Sequence, residues 1–474
     1  MSLILKSGVS ALFVAAALSL SACGGSDADS NSNGADGANQ PDKPAGVDDS
    51  VREDLAYSSF EIDLPENLRP LASDAYAIYA VKPSIRFSVS EDNMLDTYWE
   101  GELSPSADGH RHLSRISLAS KSIVSDIPIP QQVNLGNTSF LGYEYLGNGR
   151  YIMGVSDVNA SDIDRKHPVY YAFDRTGKLN YALDLWKDTP DAYAAARSGQ
   201  GLIVYNKQID NFGIYLARRG DGGHQAAWLS FHEAATGRQT FSRPWYISHN
   251  FDHRLLPLKD GRYLASAHAD SLPARGLLIE AWKFNDDPFA RTWSSAFQFP
   301  PSATGNYNIT NSATGDVLEL SDGKVAVLFT TQHQFGANDL TRDIRLSTFS
   351  NVGASKNSAV LAKDAWLSSY TPTSTAGWGA QMAHYSPGKI FAVWNVFDAG
   401  NPSNLLKATM AIVDENGAVS SQKDIVLPTG KRATAGAVQP SQTIRTTADG
   451  KYLVFMSEGS APNKLRVNLV AINK

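Results

Sequence analysis

Beyond residue 50 the chain alternates short apolar runs with glycine turns, and the alternation repeats. Apolar and polar positions follow one another with a period of two, as in half-buried strands. The turns read Asn148-Gly149-Arg150-Tyr151-Ile152, then more loosely Gly199-Gln200-Gly201-Leu202-Ile203-Val204. They return as Asp260-Gly261-Arg262, Asp322-Gly323-Lys324, Pro387-Gly388-Lys389 and Asp449-Gly450-Lys451. Taking the glycines at 149, 201, 261, 323, 388 and 450, the spacings are 52, 60, 62, 65 and 62 residues. Glycine accepts the positive φ that a tight hairpin turn needs, so each of these predicts a β-hairpin.

A second hairpin follows each turn after a variable loop. One runs Val169–Phe173, turns at Thr176-Gly177 and returns as Leu179–Leu183; another runs Thr409–Val413, turns at Asn416-Gly417 and ends at Asp424–Pro428. Two hairpins per unit make four strands per unit, and a four-stranded sheet at fixed period predicts a β-propeller. Six units carry the glycine turn, and a divergent seventh spans about 71–130. The expected fold is therefore all-β: a seven-bladed β-propeller with four-stranded antiparallel blades, six or eight being the alternative counts. The last unit ends at Val467–Ile472 without a fourth strand, and Phe60-Glu61-Ile62-Asp63-Leu64-Pro65 resembles the fourth strands at Asp126–Pro130 and Asp424–Pro428. This N-terminal strand is expected to close the ring, removing the two open edges of a linear array.

The N-terminal stretch has a different pattern. Lys6 precedes an apolar run from Ala11 to Leu20, followed by Ser21, Ala22 and the only cysteine, Cys23. The run is too short to span a bilayer. Basic start, apolar core, small residues and cysteine together resemble a bacterial lipoprotein signal, with the lipobox at Leu20–Cys23. That resemblance implies cleavage before Cys23, lipidation of Cys23 with palmitate-type acyl chains, and a membrane anchor. Gly24 and Gly25, with no aspartate behind the cysteine, point to the outer membrane under enteric-type sorting. From 24 to about 50 the chain holds almost no large apolar residue and reads as a flexible tether. The expected division is 1–22 signal peptide, 23–50 lipidated cysteine and tether, and 51–474 propeller.

Composition narrows the partners. With Cys23 lipidated, no disulfide can form, so the exported domain must rest on its core. A net charge of −6 without a basic cluster argues against nucleic acid.

The inter-blade and mid-blade connections are long and fall on the face opposite the glycine turns, so binding is expected on that long-loop face. Two connections of one blade carry His249, Asp252, His253, His268, Asp270 and Arg275. Histidine beside carboxylate suits proton transfer or metal binding, and arginine suits an anion. The same groups also hold loops together when they bond backbone. Trp366, Tyr370 and Trp378, with His333 and Arg342 on a neighbouring loop, form a candidate binding surface, because exposed aromatic faces stack on sugar rings and flat ligands. Asp157, Asn159, Ser161 and Asp164 have a loose calcium-loop spacing, without the glycine and closing glutamate of a complete loop.

Gly-x-Ser-x-Gly, His-Glu-x-x-His and the phosphate-binding glycine loop do not occur. Phe173–Leu179 and Ala235–Arg238 resemble the turn of quinone-type propeller repeats, which bears on fold and not on cofactor. The expected function is recognition: an envelope lipoprotein whose long-loop face binds a membrane-protein partner or a small ligand. The alternatives are an envelope hydrolase or transferase for a glycan, sulfate ester or ester, and an accessory resembling the propeller lipoproteins of outer-membrane assembly.

Overall fold

The computed structural model describes residues 55–69, 85–102, 111–133, 138–157, 168–185, 201–219, 225–245, 250–269, 276–282, 293–297, 313–331, 342–352, 354, 359–370, 375–398, 401–425 and 444–472. All of them lie in one compact unit, Pro41–Lys474. The lipobox and the tether lie outside the described residues. Among those residues, no helix is long and apolar enough to cross a membrane.

The described strands form seven four-stranded antiparallel sheets. The first strand, β1 (Tyr57–Asp63), belongs to the last of them. Sheet I holds β2 (Ile85–Val89), β3 (Met94–Glu100), β4 (Arg111–Ser117) and β5 (Ser122–Asp126). Sheet II holds β6 (Thr138–Tyr145), β7 (Arg150–Asp157), β8 (Pro168–Asp174) and β9 (Leu179–Asp184). Sheet III holds β10 (Gly201–Asn206), β11 (Asn211–Arg219), β12 (Gln225–Glu233) and β13 (Gln239–Trp245). Sheet IV holds β14 (Asn250–Pro257), β15 (Tyr263–Ala269), β16 (Gly276–Trp282) and β17 (Trp293–Phe297). Sheet V holds β18 (Ala313–Glu319), β19 (Val325–Thr331), β20 (Asp343–Ser350) and β21 (Val360–Trp366). Sheet VI holds β22 (Thr375–Ser386), β23 (Lys389–Asp398), β24 (Asn401–Asp414) and β25 (Val419–Ile425). Sheet VII holds β26 (Arg445–Thr446), β27 (Tyr452–Glu458) and β28 (Lys464–Ala471), with β1 on its outer edge. There β1 pairs with β28 from Tyr57↔Val470 to Asp63↔Lys464.

In sheets I to VI the strands follow chain order, as two consecutive hairpins dictate; in sheet VII β1 takes the fourth place beside β28. Gly149, Gly261, Gly323, Gly388 and Gly450 adopt φ between 69° and 87°, the left-handed region their turns require. The unit around Gly201 departs from the sequence expectation. Gly201 is the first residue of β10, and the turn of that sheet is made by residues up to Asp210, at φ 46°. Aspartate tolerates this conformation through local hydrogen bonding. The turn therefore carries no glycine signal.

Each sheet packs face to face on the next through a buried apolar cluster. Tyr98 and Leu113 of sheet I meet Phe140 and Tyr151 of sheet II. Ile152 meets Ile214 across sheets II and III, and Leu229 meets Tyr263 across III and IV. Leu264 meets Val327 across IV and V, and Leu346 meets Trp394 across V and VI. Phe391 meets Phe455 across VI and VII, and Val467 meets Phe87 across VII and I.

A polar lock recurs on the outer half of several sheets. In sheet I the Trp99 Nε1 donates to Ser114 Oγ (3.1 Å), which donates to Asp126 Oδ1 (2.6 Å). In sheet V Ser347 Oγ donates to Asp364 (2.7 Å), and in sheet VI Thr409 Oγ1 donates to Asp424 (2.8 Å). In each case a hydroxyl on the third strand ties the aspartate of the outermost strand, which has the least apolar contact to hold it.

Candidate functional site

The innermost strands β2, β6, β10, β14 and β26 bring their C-terminal ends and short turns together. These turns surround a cavity of about 990 Å³. Five sheets contribute to it, and its wall includes Ser88, Glu144, Tyr205, Lys207, Lys259 and Arg445. The volume lies within the range of small-molecule sites.

The wall is prearranged by its own hydrogen bonds. Ser88 Oγ donates to Glu144 Oε1 (3.2 Å), and Arg445 Nη2 donates to Glu144 Oε2 (3.2 Å). Tyr145 donates its hydroxyl to Glu91, whose other oxygen accepts the Asn148 amide (3.1 Å). Burial pushes the Glu91 carboxyl up, but the hydrogen bonds from Tyr145 and the backbone outweigh it and hold the group below its ordinary value. Burial, with the bond to Glu91, raises the Tyr145 phenol to about 12. Tyr205 donates to Asp210 Oδ1 (2.8 Å), and burial followed by that bond raises it to about 12 as well. Both phenols are thus neutral donors at pH 7, and Glu91 is ionised.

A second polar layer joins sheets IV, V and VI. Arg254 is fully buried and donates from Nε to the Gly315 carbonyl (2.7 Å) and from Nη2 to the Thr314 carbonyl (2.9 Å). Gln381 donates to the same Gly315 carbonyl (3.2 Å). Asp316 accepts the amides of Val317 (2.9 Å) and Met382 (3.1 Å). Burial raises the Asp316 carboxyl to about 6, against the pull of Arg254.

The expected site residues fall differently. His249, Asp270, Arg275 and His333 lie outside the described residues, as do Cys23, Asn159, Ser161 and Asp164. Asp252 and His253 sit in β14 where its register with β15 shifts, between Phe251 and Arg254; His268 in β15 is the register partner of Phe251. No group of three metal-ligating side chains occurs among the described residues.

The aromatic surface requires a correction. Trp366 is 5% exposed and Trp378 is 3% exposed, so neither presents a face to solvent. Arg345 covers Trp366 at 5.2 Å, and the buried Arg342 covers Trp378 at 4.8 Å. Tyr370 is half-buried and accepts the Trp394 indole N–H (2.6 Å). These residues pack the blades, because the segment that carries them runs from the outer strand of one sheet into the next.

The cavity also lies on the face of the short glycine turns and not on the long-loop face. Its polar residues are spread over five units, so no local motif marks them. The one sequence signal was the turns themselves, which place the inner-strand ends of five sheets at the same rim.

No family model matches the chain, and neither does any curated protein. Several solved structures are similar to it. Polysaccharide lyase Uly1 is 12% identical over 88% of this chain and 100% of its own, with a TM-score of 0.50. The N-terminal domain of Nup159 is 9% identical over 89% of this chain and 98% of its own, at 0.41. The endo-arabinase from Bacteroides thetaiotaomicron VPI-5482 is 10% identical over 58% and 94%, at 0.33. At such identities the likeness bears on the fold alone. The chain is an all-β propeller of four-stranded antiparallel blades.

Proposed function

We propose that this chain is a lipid-anchored envelope protein whose propeller binds a small polar ligand in the cavity at the short-turn mouth. The observation that carries the reading is the cavity itself. Its volume suits a small molecule, and its donors and acceptors are held in place by bonds between sheets. A site with prearranged polar groups binds without first ordering them. Lys207 and Lys259, both exposed, add positive charge to a wall that also holds Glu91 and Glu144. This mixture suits a hydroxyl-rich or zwitterionic ligand.

The propeller in this reading is a seven-bladed ring closed by its N-terminal strand. The β1–β28 pairing and the apolar contact of sheet VII with both sheets VI and I support it. The lipobox at Leu20–Cys23 supports the anchor, with the outer membrane as the destination.

Full-length protein in mild detergent is to be titrated calorimetrically with panels of sugars, amino acids and small zwitterions. Saturable binding that weakens in Lys259→Met and Lys207→Met is the expected result. A stoichiometric membrane-protein partner with no small-molecule binding would overturn the ligand reading, as would turnover of a bound glycan. Cys23→Ser is expected to move the protein from the membrane to the soluble fraction; unchanged fractionation would remove the anchor.

A further inference from the structure

Arg86, on the innermost strand of sheet I, is 8% exposed, and its Nε and Nη2 atoms are buried without a hydrogen-bond partner. The carboxylates whose charge reaches it are engaged elsewhere. Glu144 takes Ser88 and Arg445, and Glu100 takes the Tyr98 hydroxyl (2.6 Å) and Arg69 Nη1 (3.0 Å). The guanidinium lies over the Phe140 ring at 5.4 Å, which supplies attraction but no acceptor. Burial lowers its pKa only to about 10, so it stays charged at pH 7. A buried charge with an empty donor edge is costly and calls for an anionic or strongly polar occupant.

Tyr170 of sheet II lies within reach of the Arg86 charge. It is fully buried, its hydroxyl has no hydrogen-bond partner, and the charge of Arg86 acts on it. Its ring lies against Gly154, where a Cβ would stand 2.4 Å from the ring. The absent side chain at 154 is what lets the ring lie there. Neither Arg86 nor Tyr170 lines the short-turn cavity.

We propose that Arg86 and Tyr170 form a buried oxyanion site, separate from that cavity, whose occupant is a small carboxylate. Nε and Nη2 are the parallel edge of the guanidinium, the edge that meets both oxygens of a planar carboxylate. The Tyr170 hydroxyl, neutral because burial raises its pKa well above the ordinary phenol value, is a third donor.

The test is thermal unfolding of the full-length protein in mild detergent. Sodium acetate, sulfate and phosphate are each compared with sodium chloride at equal ionic strength and pH 7. Acetate is expected to raise the melting temperature saturably above chloride. Arg86→Met should abolish the increment, and Tyr170→Phe, which keeps the ring packing, should weaken acetate binding about tenfold or less. Equal melting in acetate and chloride would overturn the site, as would an acetate increment that persists in both variants. A response to sulfate and phosphate but not to acetate would overturn the carboxylate assignment. If Arg86→Met fails to fold, Tyr170→Phe decides alone: an unchanged acetate response overturns the proposal. Lys259→Met should leave the acetate increment intact, which separates this site from the ligand cavity.

Discussion

Arg445 Nη2 lies 3.2 Å from Glu144 Oε2, joining residues 301 positions apart in the chain. Sheets VII and II are thereby tied across the mouth of the cavity, with sheet I between them. Sheet I joins the tie through Ser88, which donates to the other oxygen of Glu144. One carboxylate thus holds three innermost strands in a fixed relation, and the cavity's shape depends on it.

Removing one partner should therefore cost more than a surface pair. The Glu144 side chain is 9% exposed and that of Arg445 is 21% exposed, so the pair falls between the buried and surface cases. Glu144→Gln should destabilise by about 2 kcal/mol, and the Glu144→Gln, Arg445→Gln double variant should recover part of that. Urea unfolding of the two singles and the double checks it. Additive losses would show that the charges are not coupled.

The lock in sheet I makes a second prediction. Trp99 and Ser114 are both fully buried, and Ser114 Oγ is the acceptor of the indole N–H. Ser114→Ala leaves that donor unsatisfied in the core and should cost about 1–3 kcal/mol. A loss below about 0.5 kcal/mol in chemical denaturation would mean that the indole finds another acceptor.

The strand repeat was legible because Asn148-Gly149, Asp260-Gly261, Asp322-Gly323 and Asp449-Gly450 announce their turns locally. Where the chain uses Asp210 at positive φ instead, the sequence pointed to Gly201, which starts a strand. The locks were half visible: Asp126 and Asp424 stood out as repeated strand ends, but their hydroxyl partners sit on another strand. The cavity was not legible. Glu144, Arg445 and Ser88 come from three units, and only the packing of three sheets against one another brings them together. Long loops drew attention to the other face, and the aromatic cluster at 366–378 proved to be interior packing, since apolar surface near a strand end fits a blade interface as well as a ligand.

Gly154→Ala is expected to destabilise by about 2 kcal/mol. The new methyl would meet the Tyr170 ring at 2.4 Å, and Tyr170 is confined by the apolar cluster between sheets II and III. Shrinking the ring should relieve the clash, so Gly154→Ala combined with Tyr170→Leu should be less destabilised than the sum of the singles. Strict additivity in thermal melts would place the cost in the strand backbone instead.

Two buried groups oppose one another in their pH dependence. His232 is 1% exposed; its Nδ1 faces the Gly237 carbonyl (3.1 Å) and its Nε2 faces Ser230 Oγ (2.6 Å). The carbonyl can only accept, so Nδ1 carries the proton and Nε2 accepts from Ser230 in the neutral ring. Burial lowers the folded-state value to about 4 from an ordinary 6.5. The stability this group contributes is present above pH 6.5 and is lost as pH falls through 4. Asp316 behaves in the opposite sense. Its folded value is raised by burial to about 6 from 3.8, so its contribution is present below 3.8 and is lost as pH rises through 6. Each term amounts to about 3 kcal/mol, and they run against each other over the same interval. Between pH 4 and 6.5 the stability of the wild type should therefore change little on account of these groups. Asp316→Asn keeps one amide acceptor and removes the falling arm, so its stability should climb by about 3 kcal/mol from pH 4 to 6.5. His232→Gln removes the rising arm and should fall by a similar amount. Urea midpoints at pH 4, 5, 6 and 7 measure all three proteins, and curves for the two variants that run parallel to the wild type would show that neither group titrates in the folded state.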